Sequence, residues 1–186
     1  MNREFNNLVD IRSIIPNIEV DIKYATKDNF TKKAIYSIAK CYLIEHVAIA
    51  LKSASEEFNK FGNTIKVWDG YRPLKAQYIF WELVSDERYV ADPKKGSRHN
   101  RGCAVDLTLI DHNGKELDMG TNFDDFTEKA HRDFKSLHAE VLKNRQLLQA
   151  VMEKNHFIGW KNEWWHFDFE DWESHPILDR AFDEIE

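Results

Sequence analysis

Two short motifs lie far apart in this chain, and any fold that uses both must bring them to one point. The first runs from Ser97 to Asp106 and contains His99, and the second is Glu163-Trp164-Trp165-His166. Together they offer two imidazoles and a carboxylate, plus a further carboxylate at Glu163. Three protein ligands, an open position for water and a nearby base are the parts of a catalytic zinc site. The two motifs therefore make the chain a candidate hydrolase.

The spacing inside the first motif predicts how it is built. His99 and Asp106 lie seven residues apart, which on one regular strand would put them on opposite faces. Gly102 lies between them and can supply a backbone turn that brings both side chains to one point. We therefore expect His99 on a loop that leads into a strand and Asp106 on the strand itself.

The second motif carries a similar local prediction. On a regular strand His166 and Asp168 would share one face, with Phe167 on the other. Glu163 is out of phase with His166 on such a strand, so it must lie in a loop or bulge just before it to approach the same metal.

The residues alone leave other interpretations open, since a single histidine beside a strand is usually a packed or exposed residue. The helical His-Glu-x-x-His signature of many zinc proteases is absent. Six further histidines have no comparable neighbours, and we interpret them as surface or core residues: His46, His112, His131, His138, His156 and His175. The two cysteines, Cys41 and Cys103, cannot form a disulfide framework or a cysteine-type zinc site.

Charge and composition narrow the function classes. The net charge of −6 and the lack of a basic stripe give no support to a nucleic-acid or anionic-membrane partner. No apolar run approaches the ~20 residues that span a bilayer, and the first residues contain no signal-peptide core. We therefore expect a cytoplasmic protein. Without a repeat or a linker, residues 1–186 are predicted to form one domain.

Strand and helix patterns alternate irregularly along the chain, which favours an α+β fold over a doubly wound sheet. We expect a small, mostly antiparallel sheet with helices packed on it and the zinc site at the sheet face. The periodicity predicts an extended or edge strand within 18–24, helices over 41–60, 71–84 and 125–154, strands over 65–68, 104–110 and 164–169, a loop over 85–96 and a hairpin-type turn at Asn113-Gly114.

The motifs also carry a family resemblance. Ser97 to Asp106 matches Ser-x-His-x-x-Gly-x-Ala-x-Asp, and Glu163 to His166 matches Glu-x-Trp-His. This pairing resembles the D-alanyl-D-alanine metallopeptidases of the M15 class. Three further runs are similar to its dipeptidase branch, which includes the vancomycin-resistance dipeptidase: Tyr24 to Phe30, Trp68 to Pro73, and Met119 to Thr121 with Phe123-Asp124.

The resemblance implies roles for particular residues. It implies that one Zn²⁺ per chain is held by three ligands, His99, Asp106 and His166, and that Glu163 is the general base. It assigns Arg72 to the substrate carbonyl oxygen, where a fixed guanidinium can stabilise an oxyanion. From the sequence alone, a structural ion pair is the alternative for Arg72.

Three more positions match family residues near the substrate amino group: Asp124, Ser97 and Tyr24. A carboxylate there would pair with the ammonium of a free dipeptide. The alternatives are a helix N-cap for Asp124, ahead of Phe126, and plain packing for Tyr24. Trp164 and Trp165 are expected in the pocket wall and the core.

The activity implied by the resemblance is hydrolysis of D-alanyl-D-alanine, a small dipeptide, with no nucleic-acid or membrane partner; the sequence carries no prediction of oligomeric state. Two alternatives remain open at this point. One is a zinc D,D- or L,D-carboxypeptidase acting on longer peptidoglycan peptides, and the other is a non-catalytic peptide-binding module. The stretch between Trp81 and Ser97 looks shorter than in the vancomycin-resistance members, which bears on substrate size if it covers the pocket.

Overall fold

A mixed sheet forms the centre of the protein in the computed structural model, which describes residues 7–185. Its strands are β2 (Glu19–Val20), β4 (Thr64–Asp69), β5 (Ala104–Ile110), β6 (Phe157–Gly159) and β7 (His166–Phe169). They are arranged in the order β2-β4-β5-β7-β6, with β2 parallel to β4 and the other pairs antiparallel. A separate antiparallel pair joins β1 (Leu8–Asp10) to β3 (Tyr42–Ile44). The prediction of a small, mostly antiparallel sheet is confirmed.

Within residues 7–185, four α-helices accompany the strands: α1 (Ile11–Ile14), α2 (Glu45–Lys60), α3 (Leu74–Leu83) and α4 (Ala139–Lys154). The buried stripe of α2 has helical spacing and consists of Val47, Leu51, Ala54 and Phe58. It packs against β4 and α4, and α4 also contacts β6. Each fully buried Leu or Phe contributes about 1.5–3 kcal/mol, so this stripe is enough to hold α2 on the sheet. The α+β class is therefore confirmed.

Among the described residues, no helix combines the length and the apolar character that crossing a membrane requires.

The predicted strands over 65–68 and 104–110 are confirmed, and the strand over 164–169 begins two residues late, at His166. The edge strand expected within 18–24 is present, but it is reduced to Glu19–Val20. The turn at Asn113-Gly114 forms, with the Gly114 amide donating to the Asp111 carbonyl over 2.9 Å. The residues from 85 to 96 form a loop, as expected.

The helix predicted over 41–60 begins only at Glu45, because Tyr42–Ile44 pairs with β1 instead. The helix predicted over 71–84 begins at Leu74, with Pro73 as its N-cap residue. Both errors lie at element boundaries, where a short run of apolar residues suits a strand and a helix equally well.

The helix predicted over 125–154 is wrong for its first half. Only residues 139–154 are α-helical, and a single 3₁₀ turn, Glu128–Ala130, precedes them. The guanidinium of Arg145 donates to three backbone carbonyl oxygens, at 2.7 Å, 3.2 Å and 3.0 Å: those of Met119, His131 and Lys129. Two of these carbonyls, those of Lys129 and His131, belong to the segment, so the Arg145 side chain takes the place of helical hydrogen bonds at those two positions.

Gly102 makes the turn that the first motif was expected to need. It has a left-handed backbone with φ of 70° and ends a 3₁₀ turn, His99–Arg101. Its amide donates to the His99 carbonyl over 3.1 Å, and its own carbonyl accepts from the Ile44 amide over 3.0 Å. His99 therefore lies on a loop leading into β5, and Asp106 lies on the strand, as predicted.

We predict that Gly102→Ala destabilises the protein more than Gly114→Ala. Both glycines have positive φ, so each substitution costs about 1–2 kcal/mol of backbone strain. A Cβ at Gly102 would also meet Leu8 at 2.8 Å, whereas one at Gly114 meets nothing within 4 Å. Overpacking adds about 1–3 kcal/mol, measurable by urea denaturation. Equal free energies of unfolding for the two variants would contradict the tight packing described for Gly102.

Candidate metal centre

The centre is organised by a row of polar residues across three neighbouring strands. Asp106 on β5 lies directly opposite His166 on β7 in the antiparallel register. On its other side Asp106 lies opposite Asp69 at the end of β4, where the register shifts after Val67. Directly opposed side chains on one face of a sheet lie about 4.5–5.5 Å apart at their Cβ atoms, so the strands themselves bring these groups together.

The three residues expected to hold zinc converge with ligand-like spacing. His99 Nε2 lies 3.2 Å from His166 Nδ1, and 3.4 Å from the nearer Asp106 oxygen. His166 Nδ1 lies 3.0 Å from the other oxygen of Asp106. Two ligand atoms about 2.05 Å from one cation at the tetrahedral angle are about 3.3 Å apart. These donor atoms therefore match the edges of a tetrahedral zinc site.

The outer nitrogens of both imidazoles are already used. His99 Nδ1 lies 2.7 Å from the carbonyl oxygen of Gly70, and His166 Nε2 lies 2.8 Å from Asp168. An N–H donated outward leaves the inner nitrogen of each neutral ring with a free lone pair, as metal-binding histidines require. The residues present therefore fit zinc. Strand alternation predicted the shared face of His166 and Asp168 but assigned no role to this carboxylate.

The charge of the centre also favours a cation. Burial acts to raise the pKa of Asp106, but the two imidazoles outweigh it and hold that pKa well below its usual range. Burial acts to lower the pKa of His166, but the carboxylates of Asp168 and Asp106 raise it to about 10. The same carboxylates attract any positive charge placed between them, whether a proton or a divalent cation.

Glu163 lies in the turn just before β7, as the sequence predicted. Its amide donates to the Trp160 carbonyl, and its own carbonyl accepts from the amide of His166, the first residue of β7. Its carboxylate is 3.9 Å from His166 Nδ1, close to the presumed ligands but outside hydrogen-bond distance. Burial raises the pKa of Glu163 to about 8, so this group is adapted to exchange a proton near neutral pH.

Arg72 is buried and held in place from two sides. Its guanidinium contacts Asp69 at 2.8 Å and 3.2 Å and donates to Gln77 over 2.9 Å. Burial alone would lower the pKa of Arg72, but the Asp69 carboxylate outweighs that effect and raises it. Asp69 also accepts a hydrogen bond from Tyr36 over 2.9 Å. From the sequence, a structural ion pair was the alternative to a role of Arg72 at the substrate. In the structure Arg72 forms an ion pair with Asp69 and also lies beside the metal centre.

A cavity of about 60 Å³ connects these groups. Its wall includes all three presumed ligands and the other two groups just described, Glu163 and Arg72, with Trp165 beside them. The loop residues 87–91 also line it, so the stretch between Trp81 and Ser97 does cover the pocket. Pockets for drug-sized ligands measure roughly 300–1,000 Å³, so this cavity is far smaller than those.

The three residues expected near a substrate amino group are divided between two cavities. Tyr24 and Ser97 line the metal cavity, whereas Asp124 lines a larger neighbouring one. A hydrogen bond of 3.0 Å links residues of the two cavities, with the Tyr24 hydroxyl donating to Asp124. Asp124 also accepts from the Phe30 amide. Burial raises the pKa of Asp124 to about 7. The N-cap alternative is wrong, because Thr127 and not Asp124 occupies the N-cap position of the following 3₁₀ turn.

Comparison with known proteins agrees with this geometry. The family model described as D-ala-D-ala dipeptidase, Peptidase M15, matches residues 4–185. The chain belongs to this family. Members of the M15 dipeptidases that are similar to it include the D-alanyl-D-alanine dipeptidase of Escherichia coli K12, with 41% identity over 94% of this chain and 91% of that protein. The D-alanyl-D-alanine dipeptidase of Enterococcus faecalis is 31% identical to this chain, and the match covers 87% of this chain and 91% of that protein.

Among solved structures, the LD-carboxypeptidase LdcB has the same fold, with a TM-score of 0.52 and 20% identity. The match covers 96% of this M15 chain and 72% of that one. At this level of identity the likeness concerns the fold alone.

We predict that Asp168→Asn lowers zinc affinity about 10- to 100-fold in this M15 dipeptidase. The carboxylate fixes the ring of His166 and increases its basicity, and losing such a partner has an effect of this size. Competition with a chromophoric chelator measures the affinity. Glu170→Gln is the matched control, because Glu170 is an exposed carboxylate paired with His156. Equal affinities for both variants would remove the orienting role of Asp168.

Proposed function

We propose that the protein is a zinc-dependent dipeptidase that hydrolyses D-alanyl-D-alanine to two molecules of D-alanine. The observation that carries this proposal is the meeting of two imidazoles, a carboxylate, a buried acid and a buried guanidinium around one small cavity. The choice of substrate rests on the relatives named D-alanyl-D-alanine dipeptidase, which match almost the whole chain.

His99, Asp106 and His166 would hold one catalytic zinc ion per chain. Zinc bound there supplies a Lewis acid and lowers the pKa of water from 15.7 toward ~7. The chain's own contribution is a rigid ligand set, because the outer nitrogens of both rings are hydrogen-bonded to Gly70 and Asp168. Such fixed rings need little rearrangement when the ion enters.

Glu163 is the general base in this proposal. It takes the proton of the attacking water and returns it to the leaving amine, which requires a pKa near the working pH. Burial provides that, because it raises the pKa of the carboxyl group to about 8 before any metal charge acts on it. A divalent cation nearby would lower this value again and favour the basic form.

Arg72 stabilises the negative charge that develops on the substrate carbonyl oxygen. Its position is fixed by Asp69 and Gln77, so its charge is in place before the reaction begins. A preorganised donor of this kind contributes about 10²–10³ in turnover. Gln77 is itself fixed, because its amide donates to the Ala91 carbonyl in the covering loop over 2.7 Å.

Asp124, Ser97 and Tyr24 recognise the substrate's free amino group. Tyr24 extends from the metal cavity to Asp124, and each oxygen of that carboxylate retains a second acceptor site beyond its present hydrogen bond. The buried carboxylate of Asp124 attracts an ammonium group and disfavours an acylated amine, which carries no charge. Residues 87–91 line the metal cavity, and this enclosure disfavours longer peptides. It therefore supports a dipeptide substrate over peptidoglycan peptides.

Two further expectations are part of this proposal. The chain acts as one domain, and the reaction takes place in the cytoplasm, where free D-alanyl-D-alanine would be met. Both cysteines are buried and unlinked, which suits a reducing compartment. Cell fractionation followed by immunoblotting checks the location.

We predict that the purified protein releases D-alanine from D-alanyl-D-alanine and that a chelator abolishes this activity. Glu163→Gln should retain zinc but lose about 10²–10⁴ in turnover, because a general base contributes that much. Glu173→Gln, on a surface turn, is the control and should keep full activity. Chromatographic assay of free D-alanine and elemental analysis of zinc give the two readouts. Undiminished turnover in Glu163→Gln would exclude it as the base.

We predict that Asp124→Asn raises KM for D-alanyl-D-alanine about 10- to 100-fold. A hydrogen bond to a charged group is worth about 1.5–3 kcal/mol, and the variant loses the charge. It should also narrow the difference in kcat/KM between the free and the N-acetylated dipeptide. Asp125→Asn is the matched control, because Asp125 accepts only from a backbone amide of its own turn in the contacts described. An unchanged KM would place the ammonium elsewhere.

A further inference from the structure

A second cluster of metal-binding side chains lies outside the catalytic centre. After β7 the chain makes one 3₁₀ turn, Trp172–Ser174, with Asp171 before it and His175 after it. The Asp171 side chain does not cap this turn and instead points at two imidazoles. One belongs to His175 and the other to His46, near the start of α2. The sequence interpretation of His46 and His175 as residues without comparable neighbours is therefore wrong.

The two histidine–aspartate separations in this cluster are those of ligands around an ion. His46 Nε2 lies 3.5 Å from one oxygen of Asp171, and His175 Nε2 lies 3.4 Å from the other. One donor atom from each of the three residues lies within 4.8 Å of the other two. The separation expected across a tetrahedral zinc is about 3.3 Å. The presumed catalytic ligands are 3.0–3.4 Å apart, so the two clusters are alike in scale.

An ordinary ion pair at the surface of this protein is shorter. His156 Nδ1 lies 2.9 Å from Glu170, which is a hydrogen-bond distance. In the second cluster His46 Nε2 and Asp171 Oδ1 are buried atoms with no hydrogen-bond partner among the described residues. Buried polar atoms are nearly always satisfied, so these two point to something between them that the chain does not itself provide.

We propose that His46, Asp171 and His175 bind a second divalent cation of the zinc class. Two imidazoles and one carboxylate with a solvent position are a zinc-type donor set, whereas Mg²⁺ and Ca²⁺ prefer oxygen ligands. The side chains of His46 and Asp171 are 37% and 43% exposed, so the cluster lies close to the surface although its donor atoms are buried. The site shares no ligand with the catalytic centre and does not depend on the proposed activity.

The ion would fasten the segment after β7 to the start of α2. Arg101 donates to the His175 carbonyl, and the ring of Trp172 lies 4.5 Å from the guanidinium of Arg98. Arg98 in turn lies 3.6 Å from Asp168, the carboxylate that orients His166. A cation that holds the 171–175 turn therefore supports the outer layer of the catalytic centre without touching its ligands.

The competing arrangement is a simple interaction without metal. The rings of His46 and His175 lie 5.0 Å apart at an interplanar angle of 27°, so stacked imidazoles beside Asp171 could persist as an ion pair. Metal counting separates the two cases, because an ion pair binds no zinc.

Equilibrium dialysis of the chelator-stripped full chain against Zn²⁺, followed by elemental analysis, tests the proposal. We expect two zinc ions per chain in the wild type and one in His99→Ala/His166→Ala. Adding Asp171→Asn to that variant should remove the remaining ion. His156→Gln, which alters the ordinary pair, is the control and should leave the count unchanged. One ion in the wild type together with none in His99→Ala/His166→Ala would overturn the proposal.

A thermal melt gives a second readout that needs no activity. Zn²⁺ should raise the Tm of His99→Ala/His166→Ala, and His46→Gln should abolish that rise. His46 is partly exposed, so this variant is expected to fold even if Asp171→Asn does not. A rise in Tm that persists in His46→Gln would place the second ion elsewhere and contradict the assignment.

Discussion

The pairing of β5 with β7 is the constraint on which the rest of the centre depends. It sets Asp106 opposite His166, and the pairing of β5 with β4 sets Asp106 opposite Asp69. A slip of one residue in either register would turn these side chains to the other face of the sheet. The apolar residues that alternate with them, such as Phe167 and Val105, are fully buried, so burial of one face fixes the position of the other.

Burying several charged groups in one centre is costly unless each of them has a hydrogen-bond or ion-pair partner. The charged groups of this centre have such partners. Asp69 accepts hydrogen bonds from Arg72, Tyr36 and the Gly70 amide. Asp168 holds His166 and lies near Arg98. Asp69 and Asp168 thus form a second layer behind the residues that face the metal position, and losing one partner would leave an unpaired buried charge. This layer sets the geometry of the side chains that line the cavity, although it is not itself part of the set expected to hold the metal.

Sequence reasoning succeeded where the determining physics is local. The left-handed turn at Gly102 and the alternation of His166 with Phe167 follow from neighbouring residues, and both are observed. It failed where distant groups decide. Residues 125–138 are not α-helical, and two of their carbonyls, those of Lys129 and His131, accept from Arg145 on α4, while three-residue strands such as Phe157–Gly159 exist only through their pairing. The ligand set itself was reached through family resemblance, since spacing cannot show that two distant motifs meet.

The covering loop shows how a short segment can still close a cavity. Its Arg88 carbonyl accepts hydrogen bonds from the side chains of Trp160 and Asn162, at 3.2 Å and 3.1 Å. Asn162 directly precedes Glu163, so the loop is tied to the turn that carries Glu163. The loop is therefore fastened at its middle, through Arg88, as well as through Ala91 to Gln77. Displacing the loop would move Glu163 and release Gln77 from its hold on Arg72, which couples substrate enclosure to the catalytic geometry.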